Sequence, residues 1–390
     1  MSPSRLPLRV LAVCGLVFCA ELGQAMLTPL LPEIGRAFAL GPAQTGVILS
    51  LATFATLAAA VPAGLLAARV GALRVSLAAG AFIAVAAAVQ ALAADFPTFL
   101  AGRVLFGVGF AAIWTAGVTL LAGPDAPRWA VGATIAAGGA AHLVGPPLSG
   151  VLSDAVGRSL PFWVLAAAAA GVTLLAAGAP AGAPERAPAP GFAAVARAAS
   201  REPALRSATV LIGLVGVLSG LVPLIVPLLL DRAGFSSSEI GAVFAVGALV
   251  WVAASALAVR AGARAVTIGV AAGGLALLAA ASLVPVVAVA TPCLLAFVLL
   301  RAVIQAPLST ITYDLGAHGA RNAGVAIGAT MGMLNLVWAA GATVAPLLAG
   351  AILAGAGARW VFVLLALACA TAGLSMRRDA ASGRALPAAA

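Results

Sequence analysis

Twelve long apolar runs follow one another along this chain, at approximately 8–31, 43–66, 73–94, 97–121, 130–153, 160–179, 207–230, 239–260, 264–283, 292–314, 324–353 and 358–377. A helix needs about 20 apolar residues to cross the hydrocarbon core of a bilayer, so each run is long enough for one crossing. A water-soluble fold must turn part of itself to water. With 63% hydrophobic and 8% charged residues, this chain has too little polar surface for that. In lipid, each segment has to pair its own backbone N–H and C=O groups, which makes such runs helices. The expected fold is therefore an all-α polytopic membrane protein of twelve transmembrane helices in two pseudo-symmetric six-helix bundles, residues 1–180 and 207–390. Residues 181–206 form a cytoplasmic linker. It is opened by Pro180, Pro184, Pro188 and Pro190 and ends in an arginine-bearing amphipathic segment with Arg197, Arg201 and Arg206.

The charges between the runs set an orientation. With the N-terminus in the cytoplasm, fifteen arginines fall on the inside, among them Arg69, Arg74, Arg260 and Arg321, and four fall outside: Arg36, Arg158, Arg232 and Arg359. That is the positive-inside bias, and it puts both termini in the cytoplasm. A net charge of +10 raises the question of nucleic acid. The arginines are scattered singly and form no stripe, which excludes that class. All 21 basic residues are arginine, and with the abundant alanine and glycine this looks like GC-rich bacterial coding. The expected location is the bacterial cytoplasmic (inner) membrane. Cys14, Cys19, Cys293 and Cys369 lie in or beside apolar runs without metal or disulfide spacing. No metal or organic cofactor is expected.

The two halves repeat each other. Gly145-Pro146-Pro147-Leu148-Ser149-Gly150 matches Ala345-Pro346-Leu347-Leu348-Ala349-Gly350, with Gly157 on Gly357 and Phe162 on Phe362 at the same offset. Arg103 corresponds to Arg301, and Arg69-Val70-Gly71-Ala72 to Arg260-Ala261-Gly262-Ala263. Six-helix repeats joined by a long cytoplasmic linker are a transporter architecture.

Three stretches carry a family likeness: Gly64 to Arg74 with Arg69 and Gly71, then Arg103-Val104-Leu105-Phe106-Gly107-Val108-Gly109, then Gly145-Pro146 through Gly150. In these the chain resembles the major facilitator superfamily, and within it the twelve-helix drug/proton antiporter branch. The family's loop signature has an aspartate before the arginine and a basic residue after the glycine; here those places hold Ala68 and Ala72. The resemblance implies a link between Arg103 and proton coupling. It also implies that the Gly145–Gly150 pattern goes with export.

Glu21 is the only acidic residue this reading places inside a span, away from its ends. A mid-span carboxylate costs roughly 2.5–3.5 kcal/mol to insert, so it faces a cavity or a partner. Gln24 and Thr28, at i+3 and i+7, extend it into a polar stripe. Glu21 is therefore the candidate proton-coupling and cation-recognising group, against a purely structural carboxylate. Arg103 is its candidate partner: counting about 1.5 Å per residue, Glu21 lies roughly 15 Å deep and Arg103 roughly 9 Å. Arg103 can equally hold its helix through backbone carbonyls. Trp114 is placed to stack on a cationic or aromatic substrate, though packing or an interfacial anchor is the commoner role. His142 is able to titrate near neutral pH, though a histidine bonded to a neighbouring helix is commoner. Arg301, Gln305, Asn335 and Trp338 are the cavity candidates of the second half. Gly107, Gly145 and Gly150 permit close helix approach, and Pro146 and Pro346 kink their helices.

The expected function is alternating-access secondary transport: proton-coupled efflux of small lipophilic or cationic compounds, driven by the proton gradient. The alternative is proton-coupled uptake or facilitated transport of a small metabolite or organic anion. An embedded enzyme is excluded by the lack of HExxH, GxSxG and any paired histidines, and ATP drive by the lack of a phosphate-binding GxxxxGK[ST]. A small-molecule substrate and membrane lipid are the expected partners, and the chain is expected to be a monomer.

Overall fold

The structure, a computed structural model, describes residues 6–117, 120–121, 129–178, 192–261 and 267–381. Every regular element among them is helical: α1 (Leu6–Ala25), α2 (Leu27–Ala37), α3 (Pro42–Val70), α4 (Ala72–Leu92), α5 (Phe96–Ala112) with a π-helical turn at Ile113–Gly117, α6 (Ala130–Val156) and α7 (Ser159–Ala177). They continue with α8 (Phe192–Arg201), α9 (Pro203–Arg232), α10 (Ser237–Ala261), α11 (Ile268–Val287), α12 (Thr291–Asn322), α13 (Ile327–Gly355) and α14 (Ala358–Ala381). Among the described residues eleven helices are long and apolar enough to cross a membrane, and α1 with α2 makes a twelfth if that bent pair counts as one span. Large apolar side chains stand exposed along them, among them Leu92, Leu174, Leu175 and Leu257. In water such surface is a liability; against lipid it is the natural outer face.

The first span, expected over about 8–31, is bent. α1 and α2 meet at a 45° bend and continue to Ala37. Pro29 explains it, because a proline has no N–H to donate and its ring clashes with the carbonyl of residue i−4, here Ala25. The helices also run longer than the apolar stretches. Beyond the expected runs α2 takes in Glu33, α6 Asp154, α9 Asp231 and α14 Asp379, while Glu239 of α10 and Asp314 of α12 stand at the ends of expected runs. Glu21 is thus not the only helical carboxylate, because a helix continues past its apolar run wherever its backbone bonds can. The ninth expected span, 264–283, is observed as α11 from Ile268. The proline-rich linker over Pro180–Pro190 lies outside the described residues. Its amphipathic end is α8, with Val195 buried and Arg197 and Arg201 exposed.

The chain forms two compact units, Met1–Pro188 with Pro227–Ala245, and Ala189–Val226 with Val246–Ala390. In the first, α1 packs on α6 and α7, while α4 and α3 flank α5. Its core includes Leu16, Val17, Ile83, Phe106, Ile113 and Leu165. The α3–α5 approach is so close that a Cβ on Gly107 would overlap the Ala52 carbonyl oxygen and meet the Ala55 Cβ at 2.8 Å. In the second unit α11 packs on α14 and α12, and α8 rests on α13.

The repeat read from the sequence reaches side-chain packing. Phe99 meets Phe162 edge-on with ring centroids 5.7 Å apart, and Phe297 meets Phe362 at 5.2 Å, both at an interplanar angle of 76°. Gly157 and Gly357 follow α6 and α13 with φ of +117° and +91°, values that side chains other than hydrogen tolerate poorly.

α5 begins with a side-chain cap, in which Asp95 accepts from the Thr98 N–H at 2.7 Å. That backbone hydrogen bond, with a further contribution from the Thr98 side chain, holds the exposed Asp95 carboxyl below its ordinary value. A depressed folded-state pKa stabilises above the unfolded value, near 3.9, and the effect is lost as pH falls through the folded value. Asp95→Ala is expected to lower the melting temperature at pH 7. The deficit should vanish as the pH drops below about 4, where wild type loses its charged cap. Asp95→Asn, an equally good cap, should retain most of the stability throughout. A deficit in Asp95→Ala that does not change with pH contradicts this.

Candidate functional site

The site is built where α1, the π-helical turn and α6 converge. Glu21 sits one turn before the bend, with its side chain 12% exposed. A π turn widens the helix by one residue and is often found at functional positions; here it carries Trp114. The Trp114 Nε1–H donates to Glu21 Oε1 at 2.8 Å. From α6, His142 brings its Nδ1 to 3.6 Å from Glu21 Oε2 and 3.2 Å from the Gly138 carbonyl oxygen of its own helix. Gly138 lets the helices close to this distance: a Cβ there would stand 3.3 Å from Glu21 Cγ and 4.0 Å from Trp114 Cζ2. The His142 side chain is 52% exposed.

Arg103 does not meet Glu21. Its Nη2 donates to Gln24 Oε1 at 3.0 Å, its Nε to the Ile48 carbonyl at 3.3 Å, and the guanidinium lies 4.8 Å from the centroid of the Phe106 ring. The reason is depth. Gln24 lies three residues nearer the bend than Glu21, about 4.5 Å along the axis, and that brings it almost level with Arg103. Arg103 is fully buried and ties α5 to α1 and α3. Thr28 lies beyond the bend in α2 and is buried, so the stripe expected from Glu21 through Thr28 ends at Gln24. Trp114 and His142 share Glu21 as a target: His142 faces it across a neighbouring helix, and Trp114, which also packs on Phe110 with ring centroids 6.5 Å apart, donates to it.

The remaining candidates fall in two places. Gly145 presses α6 onto the bend of α1, where a Cβ would lie 3.0 Å from Ala25 Cβ and 3.4 Å from the Met26 nitrogen. Gly150 and Pro146 in turn receive the start of α10: a Cβ on Gly150 would overlap the Ser237 carbonyl, and one on Gly241 the Pro146 carbonyl. Nearby, Asp154 accepts from the Ser237 and Ser238 N–H groups at 3.2 and 2.8 Å, and Arg36 pairs with Asp231. Sequence reasoning named none of those carboxylates, because nothing in the spacing of Asp154 marks the helix start it caps. Gly64 and Arg69 belong to α3, and Gly71 turns it into α4 with φ +99°.

In the second unit Arg301 donates to Gln305 Oε1 at 2.7 Å, and its Nε is buried without a partner. Trp338 Nε1 donates to Ser219 Oγ at 3.3 Å, and Asn335 is exposed on the same helix, α13. Pro346 is buried in that helix, where a Cβ on Gly220 would meet its ring. Among the described residues there is no cluster of three or more His, Cys, Asp or Glu that would hold a metal ion.

The family described as Major Facilitator Superfamily matches residues 13–342. The vesicular acetylcholine transporter of Mus musculus is 40% identical over 81 residues, which is 20% of this chain and 15% of that protein's length. Among solved structures, the bacterial homolog of the human lysosomal transporter Spinster, inward-facing and unoccupied, is similar with a TM-score of 0.75 and 15% identity, covering 100% of both chains. The human organic anion transporter MFSD10 (TETRAN) is similar with a TM-score of 0.67 and 21% identity, covering 96% of this chain and 100% of that one.

Proposed function

We propose that this chain, which belongs to the Major Facilitator Superfamily, is a proton-coupled exporter of small lipophilic or cationic compounds working by alternating access. That it is a transporter of this family follows from the match over residues 13–342. The observation that carries the finer reading is the setting of Glu21. Its carboxylate is held by a neutral indole N–H and faces an imidazole, and among the described residues no arginine bridges it. An arginine would neutralise the site permanently. With an indole and an imidazole, the carboxylate is left able to attract a cation, and Trp114 adds an aromatic face beside it. The Gly145–Gly150 pattern, which in the resemblance goes with export, supports the direction. We place the chain in a bacterial cytoplasmic membrane with both termini inside, on the arginine bias. It is read as two six-helix halves, 1–180 and 207–390, a monomer without cofactor and without an enzymatic step.

A second reading has its own observation. Arg301 is a guanidinium with one side-chain acceptor, an unpaired Nε and no carboxylate partner among the described residues. Such a group suits an organic anion. Bacteria sensitive to lipophilic cations and expressing the chain distinguish the two readings. Accumulation of a fluorescent lipophilic cation is expected to fall, and a protonophore to restore it. Unchanged accumulation with the protein present in the membrane contradicts cation export; uptake of a fluorescent organic anion in the same cells then supports the second reading.

A further inference from the structure

We propose that His142, rather than the Glu21 carboxyl, carries the exchanged proton, and that its imidazolium is an internal competitor for the cationic substrate. The inference rests on reading Glu21 as the cation-binding group.

The geometry carries it in three steps. First, both polar neighbours of His142 Nδ1 are acceptors: the Gly138 carbonyl at 3.2 Å and Glu21 Oε2 at 3.6 Å. With Glu21 ionised, the tautomer that donates from Nδ1 to the Gly138 carbonyl satisfies this arrangement, and in that neutral imidazole the lone pair is on Nε2. Second, His142 is half exposed while Glu21 is nearly covered, so Nε2 is the accessible end of the pair and the carboxylate the protected one. A hydronium ion gives its proton to Nε2, water leaves, and a full positive charge appears on the ring beside Glu21. No bond to Glu21 has to form or break. Third, the imidazolium then occupies the charge of the carboxylate that a substrate cation needs. Binding the substrate favours return of the Nε2 proton to water, and protonation favours release of the substrate. Occupancy by one or the other is the requirement for exchange.

Among the described residues, the other charges on the elements around Glu21 are engaged elsewhere or stand apart from it. Arg103 on α5 is turned to Gln24 and Ile48, Glu33 on α2 accepts from Ser153 and the Arg158 amide, and Arg36 pairs with Asp231. Asp154, three turns further along α6, caps the start of α10, and Arg74 on α4 donates to the Val70 carbonyl. Arg69 is exposed at the far end of α3. α7 carries no titratable side chain, and α1 contributes the thiols Cys14 and Cys19.

The test is equilibrium binding of tetraphenylphosphonium to the purified full-length protein between pH 5.5 and 8.5, with size-exclusion profiles to verify folding. Wild type is expected to lose affinity about tenfold or more towards the acid end. His142→Gln should bind as tightly at acid pH as at alkaline pH, and His142→Arg, with its permanent charge, should bind weakly throughout. In weakly buffered solution near the midpoint, binding should release a proton from wild type and none from His142→Gln. If His142→Gln keeps the acid sensitivity and the proton release, this inference fails while cation binding at Glu21 stands. If wild type binds no tetraphenylphosphonium at any pH, or Glu21→Gln binds as well as wild type, the reading of Glu21 fails and takes the inference with it.

Discussion

Glu21→Gln is expected to cut cation transport about a hundredfold or more while the protein still folds. The carboxamide matches the carboxylate in size, and its oxygen still accepts from Trp114 Nε1–H. What disappears is the charge. A monovalent cation about 4 Å from a carboxylate gains roughly 4 kcal/mol at an effective dielectric near 20. Desolvation takes part of that back, and about 3 kcal/mol remaining is about a hundredfold in affinity. Glu21→Asp separates charge from reach: it keeps the negative charge, but its shorter stem loses the bond to Trp114. It should transport at a level between the other two. Reconstituted vesicles report the rates, and a glutamine variant running at the wild-type rate contradicts the role given to this carboxylate.

Gly107→Val is expected to prevent stable folding. The position sits where α3 and α5 touch backbone to backbone, and even a methyl group would overlap the Ala52 carbonyl oxygen. Overpacking a core typically costs about 1–3 kcal/mol, and a fixed carbonyl gives way less readily than a side-chain end. The matching control is Gly132→Ala in α6, where no heavy atom of the described residues lies within 4 Å of the added Cβ. There the exchange favours the helix by about 1 kcal/mol. Melting curves in detergent should show the valine variant aggregated or far less stable and the alanine variant as stable as wild type. A Gly107→Val protein that melts like wild type would mean the two helices do not approach this closely.

The helices were legible because lipid leaves an apolar run few alternatives. Their ends and bends were less so. Pro29 lies inside the apolar run 8–31, and its effect falls on Ala25, four residues earlier, where nothing in the composition changes. The site was legible in its members and not in its pairing. Glu21, Trp114 and His142 stand out as polar or aromatic groups in apolar spans, but which of them meet depends on the axial level of each helix. Depth counting from the helix ends brought Arg103 towards Glu21, and Gln24, one turn along the same face, takes that guanidinium instead. The π-helical turn that carries Trp114 has no residue signature in Ile113–Gly117. The aromatic pairs of the two halves are the opposite case. Phe162 and Phe362 share an offset in sequence, and their partners Phe99 and Phe297 precede the repeat mates Arg103 and Arg301 by the same four residues.

The central claim is that this transporter exchanges protons for a cationic compound. Purified protein in vesicles holding a trapped pH dye tests it most directly, with tetraphenylphosphonium supplied outside and a pH gradient acid inside. The account predicts that cation uptake is driven by the gradient, that the lumen becomes less acidic as the cation enters, and that both signals are lost in Glu21→Gln. Cation movement indifferent to the gradient, or protons travelling in the same direction as the cation, would contradict it.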